Sequence, residues 1–124
     1  MQMNLAELPC YVVSVRSFTD RHAHLNAQAQ HLGLRPEYLW AYDVDTLTAE
    51  DRSRANENAL PLPSISAVLK HIEAQVCVCD RNQPYALILE DDVLMFPEFA
   101  SRLQAVFAMI ENLEPGWLIF LGGA

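Results

Sequence analysis

Residues 85–92 read Tyr-Ala-Leu-Ile-Leu-Glu-Asp-Asp, an apolar run that ends abruptly in three consecutive acids. A continuous apolar run of this length predicts a central strand that is buried on both faces of a parallel sheet. Successive side chains of an extended strand point to opposite sides, so Glu90 and Asp92 should share one side and Asp91 should occupy the other. This strand and its acidic end are the starting point for predicting both the fold and the functional site.

Strand and helix patterns alternate along the rest of the chain. Strands are predicted at 10–15, 38–42, 85–89 and 117–121, and helices at 22–32, 48–58, from residue 64 to a turn at 80–84, and at 98–113. Thr19 or Asp20 is the predicted N-cap of the first helix, and Gly33 ends it. Thr48 and Asp51 fit a capping box at the start of the second helix. The third helix carries one apolar stripe, formed by Ile65, Val68, Leu69, Ile72 and Val76. Four aromatic residues are predicted to lie in the core: Trp40, Tyr42, Trp117 and Phe120. The alternation predicts an α/β fold, a mostly parallel sheet of about four strands with helices on both faces. A chain of 124 residues fits a single domain, 1–124.

Composition and charge narrow the class of protein. Hydrophobic residues make up 52% of the chain, which is typical of a globular domain. The formal net charge of −8 makes nucleic acid an unfavourable partner. No apolar run approaches the ~18–20 residues of a transmembrane segment, and the N-terminus lacks the pattern of a secretory signal. Three cysteines, an odd number, favour a cytoplasmic protein with free thiols.

Ligands of open parallel sheets bind beyond the carboxyl ends of the strands, so the residues there are the candidate site. They are Arg16, Asp20 and Arg21 after the first strand, Asp43 and Asp45 after the second, and Glu90, Asp91 and Asp92 after the third. Two carboxylates on one side of the strand suit Mg²⁺ or Mn²⁺, with phosphate oxygens and water completing the shell. The alternative is an acidic turn whose carboxylates stabilise the N-terminus of the next helix.

No glycine-rich phosphate loop follows the first strand, so a diphosphate would have to be neutralised by a metal and by arginine. Arg16 and Arg21 are the candidates, and the alternative is that both are ordinary exposed arginines. His71, on the helix that begins near residue 64, is interpreted as a residue on the flank of that helix more readily than as a catalytic group.

Five segments, in order, resemble glycosyltransferase family 25, the lipooligosaccharide and lipopolysaccharide biosynthesis glycosyltransferases. Tyr11–Arg21 is similar to the opening strand and Arg-Ser-x-x-Asp-Arg motif of the family, and Trp40–Asp43 is similar to its Ala-Val-Asp-Gly. Leu69–Ile72 resembles its Leu-Ser-His helix. Ala86–Val93 resembles its Glu-Asp-Asp motif, and Trp117–Gly122 resembles the strand that follows.

The resemblance implies a truncated GT-A-like (Rossmann-like) fold, a nucleotide-sugar donor such as UDP-galactose, a divalent metal, and a saccharide acceptor such as lipopolysaccharide core. In the family's motif the last acid, here Asp92, coordinates the metal, and the first, here Glu90, contacts ribose or metal-bound water. By the same resemblance Arg16, Asp20, Arg21 and Asp43 belong to the donor side. The chain corresponds to the N-terminal half of the family domain, so most of the acceptor side is expected to be missing.

Several positions depart from the family's pattern, since Lys70 replaces its serine, Val44 its glycine, and Ser14-Val15 its Asn-Leu. The shortened chain leaves open a non-catalytic remnant that binds only a nucleotide, a metal or a partner protein. A receiver-like signalling domain is a weaker alternative, because arginine follows the first strand and Lys70 lies on a helix. We expect a homodimer that pairs the edge strand 117–121 or buries the adjacent apolar face, and a cytoplasmic location with peripheral inner-membrane association as a further alternative.

Overall fold

A computed structural model describes residues 3–122 and contains a three-stranded parallel sheet. The strands are β1 (Cys10–Val13), β2 (Pro36–Leu39) and β3 (Leu87–Glu90), in the order β2-β1-β3. Cys10 pairs with Pro36 on one side and with Leu87 on the other. All four residues of β1 are buried, as expected for the central strand of a parallel sheet. The predicted α/β class with parallel strands is therefore confirmed.

Among the described residues, α1 (Thr19–Leu32) connects β1 to β2, and α2 (Ala49–Arg54) and α3 (Leu62–Asp80) connect β2 to β3. The last helix, α4 (Phe99–Ile110), follows β3. Gly33 ends α1 in the left-handed conformation at φ +82°, which a residue without a Cβ adopts easily. Thr48 and Asp51 form the predicted capping box at the start of α2. The predicted N-cap of α1 is wrong, because Phe18 occupies that position and makes no side-chain cap hydrogen bond.

The helices cover both faces of the sheet. On one face, α1 and α4 pack Leu25, Ala29 and Leu103 against the sheet residues Val12 and Leu89. On the other face, Ala74 of α3 packs with Tyr11 and Leu39. Burial raises the pKa of the Cys10 thiol to about 12, so this cysteine behaves as a small apolar core residue. No helix within residues 3–122 has the length and apolar character needed to cross a membrane.

The predicted fourth strand is wrong within the described part of the chain. Residues 117–121 make no strand pairing, and their side chains are largely solvent-accessible, with Phe120 88% exposed. Trp117 is half-buried, so the expected core role of the two aromatic residues fails for Phe120. An apolar run predicts burial, but a strand also needs an adjacent strand to satisfy its backbone groups, and β3 pairs only with β1 here.

The apolar stripe predicted on α3 is only partly buried. Ile65 and Leu69 are buried, whereas Val68, Ile72 and Val76 remain 41–42% exposed. The buried face of α3 is rotated toward the polar residues Ser66 and Lys70, which make hydrogen bonds to the turn after β2. Hydrogen bonding at the sheet's carboxyl edge therefore helps to set the orientation of this helix.

A matched pair of leucine truncations tests this distribution of the core. Leu25→Ala removes a fully buried side chain and should lower the free energy of unfolding by about 2–5 kcal/mol, because a cavity remains. Leu118→Ala makes the same chemical change at a site that is 74% exposed, and we expect a loss of less than about 0.5 kcal/mol. Denaturant unfolding measures both, and equal losses would contradict the exposed position of residues 117–121.

Candidate functional site

The three acids after β3 divide into one buried and two exposed carboxylates. Asp91 is 7% exposed, whereas Glu90 and Asp92 are exposed. This alternation agrees with the side-chain period of an extended strand. The Asp91 carboxylate accepts a hydrogen bond from the Ser14 hydroxyl at 2.6 Å and pairs with the Arg21 guanidinium at 3.0 Å. Asp91 thus ties the end of β3 to the end of β1 and to α1.

Ser14 continues this network to an aromatic cluster. Its hydroxyl lies 2.8 Å from Nε2 of His22. Because Ser14 gives its single proton to Asp91, Nε2 of His22 must carry the hydrogen that Ser14 accepts. The His22 ring centroid lies 5.0 Å from that of Tyr38 and 4.8 Å from that of Trp40, and the Tyr38 and Trp40 rings stack nearly parallel. Burial raises the pKa of the Tyr38 hydroxyl, so this phenol stays protonated.

A second buried carboxylate, that of Asp43, lies in the turn after β2. It forms a 2.6 Å ion pair with Nζ of Lys70, a lysine that is only 1% exposed. Its other oxygen accepts a hydrogen bond from the backbone N–H of Arg16 at 3.1 Å. Both carboxylate oxygens of Asp43 are therefore already hydrogen-bonded within the chain.

Two arginine side chains extend over this edge of the sheet. The guanidinium of Arg16 lies 5.3 Å from the ring centroid of Trp40, and that of Arg21 lies 4.7 Å from the ring centroid of Phe18. Such stacking restricts the side chain without consuming its N–H donors. Both residues are exposed, so their guanidinium groups present positive charge at the edge where the acids also lie.

His71 of α3 reaches the same edge, with Nε2 3.3 Å from a carboxylate oxygen of Glu90. The alternative interpretation of the acids as a helix-stabilising turn does not fit, because α4 begins only at Phe99. Within residues 3–122, no group of three or more His, Cys, Asp or Glu side chains is arranged to hold a metal ion. Glu90 and Asp92 could supply two carboxylate ligands, which matches how Mg²⁺ is commonly held by one or two carboxylates together with substrate phosphates.

The candidate residues therefore form three local groups: Arg21 with Asp91, the Arg16 backbone with Asp43, and His71 with Glu90. Asp20 and Asp92 are exposed beside them in α1 and after β3. Sequence reasoning did not identify four residues that link these groups, namely Ser14, His22, Ser66 and Lys70. Lys70 alone carried a usable signal, since it is the single lysine of the chain and directly follows Val68 and Leu69 on a predicted helix.

Comparison with protein-family models identifies the family of the chain. The family model described as glycosyltransferase family 25 (LPS biosynthesis protein) matches residues 7–121, which is most of the 124-residue chain. Comparison with curated proteins gives no match. The matched region includes the ends of all three strands and every candidate residue at the carboxyl edge. The chain therefore belongs to glycosyltransferase family 25, the family of LPS biosynthesis proteins.

Proposed function

We propose that the protein binds a nucleotide-sugar donor, a UDP-hexose such as UDP-galactose, and transfers the sugar to a saccharide acceptor such as lipopolysaccharide core. The observation that carries the proposal is the separation of the acids after β3. Asp91 is used internally, while Glu90 and Asp92 on either side of it stay exposed, and Arg16 and Arg21 are exposed after the neighbouring strand. An edge with two exposed carboxylates, one of them bonded to His71, and two guanidinium groups suits a diphosphate that arrives with a divalent cation.

We propose Asp92 and Glu90 as the residues that would hold Mn²⁺ or Mg²⁺. Their exposed carboxylates provide hard oxygen donors, and the donor's phosphate oxygens and water would complete the shell. When bound, the metal would supply Lewis-acid stabilisation of the diphosphate leaving group. The hydrogen bond to His71 orients Glu90, and loss of this bond would free the carboxylate for a ligand.

Arg16 and Arg21 would bind the diphosphate through their free N–H donors. Arg21 is held by Asp91 through one nitrogen, which leaves the rest of its donor set toward solvent. Arg16 is fixed at two points, by the contact of its guanidinium with Trp40 and by its backbone bond to Asp43. Asp20, exposed in the first turn of α1, lies close enough along the chain to contribute a donor-side contact.

Titration calorimetry with UDP in the presence and absence of Mn²⁺ tests the proposal. We expect binding that depends on Mn²⁺, and we expect Asp92→Asn to weaken it by at least about 10-fold, because one carboxylate ligand is lost. The matched control is Asp80→Asn, an exposed acid at the C-terminal end of α3, which should bind like the wild type. Metal-dependent binding that persists unchanged in Asp92→Asn would contradict the assignment.

Asp91→Asn, compared with Asp92→Asn, distinguishes a carboxylate that stabilises the fold from one that binds the ligand. This substitution weakens the ion pair between the buried Asp91 carboxylate and the half-exposed Arg21 guanidinium, so we expect a lower melting temperature, whereas Asp92→Asn should melt within a degree or two of the wild type. Release of UDP from a UDP-hexose, with or without acceptor, then distinguishes an active transferase from a non-catalytic protein that only binds the nucleotide. Thermal unfolding and a coupled UDP assay provide the two measurements.

We also propose a cytoplasmic location and a homodimer. The three cysteines are free thiols, which suits a reducing compartment. The dimer would use the edge at β3 and the exposed apolar residues Leu118 and Phe120. Peripheral attachment to the inner membrane would bring such a dimer to a lipid-linked acceptor.

Light scattering after size-exclusion chromatography, near 0.15 M salt to screen the net charge, tests the dimer. Phe120→Asp places a carboxylate in the proposed interface and should give a monomer. Leu60→Asp makes a comparable change in the loop before α3 and should leave the dimer intact. A wild-type protein that stays monomeric at high concentration would contradict this part of the proposal.

A further inference from the structure

Lys70 has an environment that is unusual for a lysine. It is 1% exposed, and its ammonium group donates to Oδ1 of Asp43 at 2.6 Å, to the carbonyl oxygen of Ala41 at 2.8 Å and to that of Leu39 at 3.4 Å. Three acceptors match the three N–H donors of an ammonium group, so the buried charge is fully satisfied. All three acceptors belong to β2 or to the turn that follows it.

The turn after β2 is held from a second point on the same helix. Ser66, one helical turn before Lys70, donates its hydroxyl to the carbonyl oxygen of Tyr42 at 2.6 Å. Tyr42 itself has a φ of +70°, in the left-handed region that a bulky residue rarely adopts. Such a conformation persists only where the surroundings hold it. Ser66 bonds to the carbonyl oxygen of Tyr42 itself, and Lys70 bonds to Ala41 and Asp43 on either side of it.

The same interaction extends to the first strand. The carboxylate oxygen of Asp43 that does not face Lys70 accepts the backbone N–H of Arg16. The guanidinium of Arg16 lies over Trp40, the first residue of the turn at 40–43. One ion pair thus connects α3, the turn at 40–43 and the loop that carries Arg16.

We propose that Lys70 is a positioning residue of the donor site. It neutralises Asp43, holds the turn at 40–43, and through Asp43 fixes the backbone of Arg16, so that Trp40 and Arg16 keep the arrangement that binds the nucleotide. Asp43 therefore acts through the Arg16 backbone, with no direct contact to the donor. This inference rests on the proposed function, because the donor site is the site it assigns Lys70 to support.

Stability alone does not call for this ion pair. A buried ion pair can often be replaced by apolar residues of similar size without loss of stability, whereas removing one partner leaves an uncompensated charge. Lys70→Met should therefore lower the melting temperature, and Lys70→Met/Asp43→Leu should regain most of that loss. Apolar side chains make no directed hydrogen bonds, so the double variant should still lose the fixed turn.

Nucleotide binding by the double variant is the first test. We expect its Kd for UDP with Mn²⁺ to rise about 10- to 100-fold at a melting temperature close to that of the wild type. The matched control is Arg52→Met/Glu57→Leu, which replaces a 3.2 Å ion pair on the surface and should not change the Kd. Wild-type affinity in the double variant would overturn the proposal.

Fluorescence of Trp40 is the second test, and it does not require nucleotide binding. The chain has two tryptophans, so Trp117→Phe leaves Trp40 as the single tryptophan, which can be excited selectively. In this background Lys70→Met/Asp43→Leu should shift the Trp40 emission and increase its quenching by acrylamide. Ser66→Ala, which removes only the bond to Tyr42, should do so to a smaller degree and serves if the double variant fails to fold.

The two tests separate failure of the inference from failure of the proposed function. If wild-type protein binds no UDP with or without Mn²⁺, the proposed function fails, while the Trp40 emission still reports whether Lys70 holds the turn. Unchanged emission in the folded variants would overturn the positioning role whatever the protein binds.

Discussion

Burying the Asp91 carboxylate between β1 and α1 costs free energy that only hydrogen bonds and an opposite charge can offset. Ser14 and Arg21 supply both, at 2.6 and 3.0 Å. Ser14 directly follows β1, Arg21 lies in the first turn of α1, and Asp91 directly follows β3. Asp91 therefore fixes the positions of β1, α1 and β3 relative to one another. The position of the exposed acids on either side of Asp91 follows from this anchor, since they share its backbone.

The flanking strand β2 repeats the same arrangement with different groups. Asp43 follows β2 as Asp91 follows β3, and each is neutralised by one cation and also bonded to the segment after β1. The central strand and its loop therefore satisfy a buried acid on each side. This explains why the carboxyl edge can hold several acids in a chain of net charge −8: two of them are compensated internally. The Glu90 and Asp92 carboxylates remain exposed.

Local patterns in the sequence predicted the local structure well. The apolar run before Glu90 predicted a parallel strand, and Gly33 and the Thr48 capping box marked helix ends that the structure confirms. These features depend on propensities within a few residues. The strand at 117–121 was wrong because strand formation also depends on a pairing partner, which the apolar pattern of the segment does not encode.

For the candidate site too, the features that depend on local sequence were predictable and the long-range contacts were not. The strand period correctly separated Asp91 from its two neighbours, and the position of the strand ends brought Arg16 and Arg21 to the same edge. Lys70 could not be assigned, because its partners lie 27–31 residues away in the chain. Hydrophobic periodicity predicted α3 as a purely apolar face, although a buried polar residue with long-range partners fits that face equally well.

A lysine at position 70 places a specific demand on the turn after β2. Its long aliphatic stem packs within the interior while the ammonium group donates in several directions, which a planar guanidinium would not do with the same geometry. The acceptors are two backbone carbonyls and one carboxylate. The position of the ammonium group therefore depends on the backbone conformation of the turn as well as on the charge of Asp43. A serine, which stands here in the family's pattern, would have one donor and could not satisfy all three. The lysine therefore implies that this chain holds its Asp43 turn by a charge, where a serine would rely on a single neutral hydrogen bond.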